Sequence, residues 1–445
     1  MSKSDPPPLK VAPFRLDSLE QASAAQGLAG VTPQSRSSYR RRHQRRKGRR
    51  RLLAVLSLAL VLALAGLVVL RLHAPAPVAA VRATMDSHVR VSSSEVVLPW
   101  APTGQSAIAI PSVGVDQTSG PEQPVPVASL TKMMTAYVIL HDHPLGLAQD
   151  GPSVTMTQVD LDDFETDTVE DQANAPVALG EVLTERQLLE GLLVHSANNF
   201  ADTLARWDAG DIPDFVAKMN RTATQFGMRQ THYADPSGFD QGSVSTAGDL
   251  LKMAARDMDN PTFAAIVKMS SVTLPVAGTI STYTPWLGFQ GVIGVKSGFT
   301  TAAGGCDVVA VVRRVHGKDT LILAAVTGQT GLSVLEAAGY LALNLADHVG
   351  ASIGVTRLVV AGQTVAHVKV NGHTVDATAS ATVEMLSWPG ATAHRSLVDG
   401  RTIRAGAEQG TRIGSVVAVL GKQREVIPVR LRQRLAKPSM LQRLF

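Results

Sequence analysis

The chain has 445 residues, 45% hydrophobic and 18% charged, an ordinary globular balance with room for two or three domains. Its 42 Lys/Arg against 37 Asp/Glu are unevenly placed: residues 1–51 hold 13 against 3, which leaves 29 against 34, or −5, for the remainder. The basic character belongs to the N-terminal tail, which argues against nucleic acid as a partner of the folded part, and the single Cys306 excludes an intramolecular disulfide.

Residues 1–51 read as a disordered, basic tail, Pro/Ser/Gln-rich up to residue 38 and dense in Arg over 40–51. Residues 52–70 then run without a charge, interrupted only by Ser57 and Gly66. A membrane helix needs about 20 such residues, so a transmembrane helix is expected over 52–72. Basic residues stay on the cytoplasmic side, which puts the N-terminus inside and everything later outside. The long basic region favours an uncleaved anchor; a cleavable signal ending at Val78-Ala79-Ala80 is the alternative. Residues 73–95 carry Ala-Pro repeats and read as an extended linker.

From residue 96 the pattern turns globular. Strands are expected at 107–110 and 113–115, and helices at 130–141, 185–207 (interrupted near Ser196) and 245–256. Two β-rich runs, 308–313 and 321–327, flank the turn His316-Gly317-Lys318-Asp319, and a helix over 333–348 follows. This mixture predicts an α+β domain over 96–349, with helices around an antiparallel sheet. Residues 351–432 hold short β runs between Gly and Asn turns and read as a small all-β domain, and 433–445 as a tail.

Three short segments can carry chemistry together. Ser129-Leu130-Thr131-Lys132 puts an amine one helical turn from a hydroxyl. A serine needs a nearby base, and a lysine serves only if burial or a neighbouring cation lowers its pKa. Ser196-Ala197-Asn198 supplies a second hydroxyl for proton relay and an amide for a substrate peptide. Lys296-Ser297-Gly298 ends a strand-like run; its cation suits a carboxylate, and its glycine leaves room for a substrate backbone.

The order Ser-x-x-Lys, Ser-x-Asn, Lys-Ser-Gly resembles the motif set of penicillin-binding proteins and serine β-lactamases. Residues 126–136, Ser196-Ala197-Asn198-Asn199, Thr231-His232-Tyr233 with Pro236-Ser237-Gly238, Ser245-Thr246-Ala247 and the strand over 294–305 are similar to low-molecular-mass D-alanyl-D-alanine carboxypeptidases. The resemblance covers about residues 107–345 and implies a β-lactamase/transpeptidase-like domain. It implies Ser129 as acylated nucleophile, Lys132 as general base and Ser196 as relay. Asn198 would position substrate; Lys296, Ser297 and Thr300 would hold its carboxylate; Gly298 would give it room; the N–H groups of Ser129 and Phe299 would form the oxyanion hole. The implied partners are a peptidoglycan stem peptide, β-lactams as covalent inhibitors and the bacterial cell membrane, with no cofactor or metal. Ser297 stands where Thr is commoner and Phe299 where His is frequent, both without loss of the required group. Asp235 stands where Asn is usual, which bears on substrate preference.

The same residues could serve as a D,D-endopeptidase on cross-links. A β-lactamase is disfavoured, because no Glu-x-x-Leu-Asn water-activating motif occurs between residues 200 and 250. The acidic stretch 160–171 lacks the Gly and closing Glu of a calcium loop and reads as a solvated loop. His195 is expected to end a helix and Cys306 to be a small core residue.

Overall fold

The structure, a computed structural model, describes residues 36–92, 95–398, 400 and 402–444, with backbone alone for 36–47. The expected disorder of residues 1–35 therefore lies outside the described residues. The chain divides into two compact units, residues 1–75 with 439–445, and residues 76–438.

In the first unit a single helix, Arg36–His73, runs through both the basic run and the apolar run. The backbone of 36–51 is thus helical where a disordered tail was expected; Arg and Lys are good helix formers and simply extend the apolar helix. Its part Gly48–His73, 26 residues with a mean hydropathy of 3.0, is the one helix among the described residues long and apolar enough to cross a membrane. At 1.5 Å per residue it spans about 39 Å, more than the ~30 Å hydrocarbon core. Its Leu and Val side chains are exposed, as a lipid-facing helix requires.

The second unit contains two large antiparallel sheets. The first has five strands in the order Val292–Thr300, Gly304–Val315, Lys318–Gln329, Gln105–Ile110 and Val115–Thr118. Its side chains alternate between two cores, as the two-residue period of a strand demands. Val308, Ala310, Leu323 and Ala107 face a helical lobe. Val309, Val311, Ala324 and Ile108 face the helix Val334–Ser352. The lobe contains the helices Lys132–Asp142, Gln158–Val169, Glu185–Val194, Asn198–Ala209, Ile212–Gln225, Ala247–Asp257 and Pro261–Ile266. Their starts are set by side-chain caps: Thr184 with Gln187, Asp211 on Asp214, Thr246 on Asp249, and Asn260 on Thr262 and Phe263.

The acidic stretch is a helix, Gln158–Val169, and not the solvated loop expected. Asp160 closes a capping box with Thr157 and accepts hydrogen bonds from Thr203 (2.7 Å) and Arg206 (2.8 Å). Those partners lie more than 40 residues away, so the stretch shows no apolar period of its own.

The second sheet has seven strands in the order Ala80–Ala83, Thr364–Val370, His373–Ala379, Gln423–Leu431, Arg412–Leu420, Thr392–Val398 and His88–Arg90. Gly354–Val359 pairs separately with Val383–Ser387. This region has its own apolar core, including Val365, Val368, Ile413, Val416 and Val429. The stretch 73–95, expected as a linker, supplies both edge strands: Ala80 pairs with Lys369 and Arg90 with Thr392. Residues 83 and 88 are five Cα steps apart, at most ~19 Å. Six flat interstrand gaps would span about 29 Å, so the sheet is curled and its edges approach each other.

Candidate active site

The five-stranded sheet and the helical lobe bring the first two motifs into contact. Ser129 sits in a 3-10 turn, Ala128–Thr131, that leads directly into Lys132–Asp142. Lys132 is completely buried, and its Nζ donates to Ser129 Oγ (3.1 Å), Asn198 Oδ1 (2.5 Å) and the Ser237 carbonyl (2.8 Å). Asn198 is held in turn, its Nδ2 donating to Gln172 Oε1 (2.5 Å). Burial lowers the Lys132 pKa to about 8, against the opposing pull of Asp235, Asp202 and Asp167. An ammonium has three donors; a neutral amine has two and a lone pair. With Asn198 and Ser237 taking two donors, deprotonation leaves the lone pair facing Ser129.

The third motif lies on the edge strand Val292–Thr300. A Cβ on Gly298 would sit 2.7 Å from Ser129 N and 3.2 Å from Ala128 Cβ, so only glycine lets this strand reach the serine turn. Lys296 is 1% exposed and its Nζ donates to the Ser297 carbonyl (2.7 Å). Burial, and then the nearby charge of Lys132, lower its pKa to about 7. Ser297 Oγ donates to the Tyr283 carbonyl (2.8 Å), and Thr300 Oγ1 accepts from Ala303 N (3.1 Å), which leaves its own proton free. Phe299 is 51% exposed. Ser196 is buried at φ 63° in the turn between two helices, and its hydroxyl bonds neither Lys132 nor Ser129.

Sequence reasoning assigned no role to the Ser237 carbonyl or Gln172, and it attached Asp235 to substrate choice. Asp235 organises the loop that presents Ser237. It accepts from the Ser237 hydroxyl (2.5 Å), Gly238 N (2.8 Å), Phe239 N (3.0 Å) and the Ser243 hydroxyl (2.5 Å). Gly238, at φ +85°, tucks against the Ala128 carbonyl, where a Cβ would lie at 1.9 Å. The Asp-Pro-Ser-Gly run was the available signal for such a turn.

Beside these groups opens a cavity of about 710 Å³, lined among others by Gln172, Ser237 and Thr300. Among the described residues no group of three or more His, Cys, Asp or Glu is placed to hold a metal ion. Cys306 is fully buried in the core, and burial pushes its thiol up to about 12. His195 ends the helix Glu185–Val194, with Nδ1 2.8 Å from the Ser281 carbonyl and its ring stacked on Tyr283.

A family profile for D-alanyl-D-alanine carboxypeptidases, peptidase family S11, matches residues 112–329. A D-alanyl-D-alanine carboxypeptidase of Streptomyces sp. (strain K15) is 33% identical over 202 residues, which cover 42% of this chain and 67% of that protein. A D-alanyl-D-alanine endopeptidase of Pseudomonas aeruginosa is 30% identical over 238 residues, covering 49% of this chain and 72% of that protein. Penicillin binding protein 5 from Haemophilus influenzae shares the fold: its structure superposes with a TM-score of 0.55 at 22% identity, covering 77% of this chain and all of that one. The hydrogen-bonded Ser129–Lys132–Asn198 set and these relatives agree, and the chain belongs to the D-alanyl-D-alanine carboxypeptidase family of serine peptidases, the low-molecular-mass penicillin-binding proteins.

Proposed function

We propose that the protein is a serine D-alanyl-D-alanine carboxypeptidase that removes the terminal D-alanine of peptidoglycan stem pentapeptides. The observation that carries this reading is the fully buried Lys132, 3.1 Å from Ser129 Oγ, with its pKa lowered to about 8. Neutral Lys132 takes the Ser129 proton as the oxygen attacks the carbonyl carbon of the penultimate D-alanine. The N–H groups of Ser129 and Phe299 receive the oxyanion. The terminal carboxylate lies on Lys296, whose charge it restores, and on the free hydroxyl proton of Thr300. Ser297 joins them by releasing its bond to Tyr283. Gly298 gives the substrate backbone its approach, and Asn198 takes its amide. Ser196 relays the proton to the leaving amine, D-alanine departs, and water hydrolyses the ester.

The chain is further proposed to be a single-pass bacterial membrane protein, N-terminus inside, anchored through residues 52–72. Residues 96–349 would form the catalytic domain and 351–432 the β domain. β-Lactams acylate the same serine and leave slowly, given the missing water-activating motif.

Release of D-alanine from a pentapeptide, with intact-mass detection of a penicilloyl adduct, tests this. Ser129→Ala is expected to abolish both; full labelling of that variant would sink the assignment. The 30% identity to the Pseudomonas endopeptidase favours a second reading, cleavage of cross-links. Product analysis on cross-linked muropeptides separates the two.

A further inference from the structure

The charge of −5 outside the basic tail hides a second split. Residues 96–349 hold 13 Lys/Arg against 27 Asp/Glu, or −14, and residues 351–438 hold 12 against 5, or +7. Much of that basic excess is collected on the outer face of the seven-stranded sheet. Residues opposite each other in a sheet point to the same side. Arg82 stands opposite His367, and His367 opposite Asp376. Arg432 N donates to the Asp376 carbonyl and continues that row onto a fourth strand. Lys369 lies two residues from His367, Arg430 two residues from Arg432, and Arg412 opposite Arg430. Val368, Val375, Val429 and Leu431 alternate with these positions and fill the core. The acid in the row, Asp376, is taken by His367 Nδ1 (2.9 Å). Arg82, Lys369, Arg412, Arg430 and Arg432 are all exposed and form no ion pair with a described residue.

Covalent reach says what such a face meets. The second unit is joined to the first at both ends, at Pro75–Ala76 and Pro438–Ser439. Within the first unit, Arg443 Nη1 donates to the Leu72 carbonyl (2.7 Å), so both junctions belong to the same end of the helix Arg36–His73. Arg82 follows Pro75 by seven residues and Arg432 precedes Ser439 by seven. Seven residues span at most about 25 Å. The basic face is therefore held, by two short connections, near the end of the helix that is long and apolar enough to cross a membrane.

We propose that the sheet face around Arg82, Lys369, Arg430 and Arg432 docks on anionic phospholipid headgroups at the membrane surface. The inference rests on the reading of residues 52–72 as an anchor and adds to it a second contact, charge-dependent and made by the β domain. Guanidinium groups pair with phosphate oxygens through parallel N–H donors. A basic residue feels an anionic surface only within a Debye length, about 10 Å at 0.1 M salt. Tethering supplies that proximity, so contacts too weak to bind a free domain suffice for a held one. The same surface repels the −14 of residues 96–349, so the contact falls to the β domain.

The test uses the full chain in lipid nanodiscs. Cys306 is fully buried, so a dye can be placed at one introduced cysteine, Thr374→Cys, exposed and opposite Lys369. Energy transfer from that dye to an acceptor on the lipid headgroups is compared between phosphatidylcholine and phosphatidylcholine mixed with phosphatidylglycerol. Transfer is expected to rise with phosphatidylglycerol, and the rise to vanish at about 1 M salt, where the Debye length is about 3 Å. Arg82→Glu/Lys369→Glu/Arg432→Glu is expected to abolish the rise while penicillin labelling of Ser129 stays unchanged. Should that variant fail to fold, as its melting curve will show, Arg82→Gln/Lys369→Gln/Arg432→Gln is expected to lose most of the rise. Equal transfer in the two lipids, or a rise that survives salt or the substitutions, overturns the docking face. So does a soluble poly(glycerol phosphate) that binds the protein when phosphatidylglycerol changes nothing, since the face would then serve an anionic polymer. If the chain elutes without the nanodisc, the anchor reading falls, and co-sedimentation with phosphatidylglycerol vesicles still decides the face.

Discussion

The two large sheets of the second unit bury very different side chains. Around the five-stranded sheet, Lys132, Asp249, Asp257, Lys296 and Asp307 are all nearly or completely buried. In residues 351–438 the buried polar residues among those described are Ser387 and Ser415 alone. Burying ionisable groups is costly, and the apolar core of the seven-stranded sheet shows that the chain can avoid it. Two of them, Lys132 and Lys296, are the groups whose burial the proposed chemistry needs. A lysine in water is protonated at neutral pH and cannot accept a proton; the same lysine buried beside a serine can.

Substitutions at these positions break or sharpen that contrast. The largest effect is expected from Lys132→Ala, which removes the proposed base and leaves Asn198 Oδ1 and the Ser237 carbonyl without their donor. Acylation by penicillin should slow by about 10²–10⁴-fold, measured by stopped-flow labelling. Gly298→Ala comes next. Its Cβ would meet Ser129 N at 2.7 Å, and displacing a reacting group by about 1 Å costs on the order of 10²-fold.

A smaller effect follows from pH. In the proposed mechanism acylation needs Lys132 neutral and Lys296 charged, and burial brings their pKa values to about 8 and about 7. Because Lys132 titrates above Lys296, kcat/KM should be bell-shaped and narrow, with its maximum between those values, falling about tenfold per unit on each side. A flat profile from pH 6 to 9 would remove the buried-lysine mechanism. Smallest on activity is Ile413→Ala, in the apolar core of the seven-stranded sheet. It should cost about 2–5 kcal/mol of stability, read in the melting curve, yet leave the labelling rate at 20 °C unchanged.

How much of this was legible in the sequence depends on what kind of group does the work. Side-chain identity marked Ser129, Lys132, Asn198 and Lys296, and local period marked the hairpin and the helices around them. The Ser237 carbonyl is a backbone atom with no signature beyond its turn. Gln172 matters only because Asn198, 26 residues on, points at it. The helix Gln158–Val169 was hidden because its buried Asp160 bonds the distant Thr203 and Arg206 and no apolar stripe marks the helix. Strand Ala80–Ala83 was hidden because its partner lies almost 300 residues away, where no local pattern reaches.

That last strand has a mechanical consequence. The chain leaving the N-terminal helix enters a hydrogen-bonded ladder with Thr364–Val370 within a few residues, and a second with Thr392–Val398 soon after. A pull on the N-terminal side therefore loads the rim of the seven-stranded sheet first. The strands and helices around Ser129 feel that tension only after those ladders have torn.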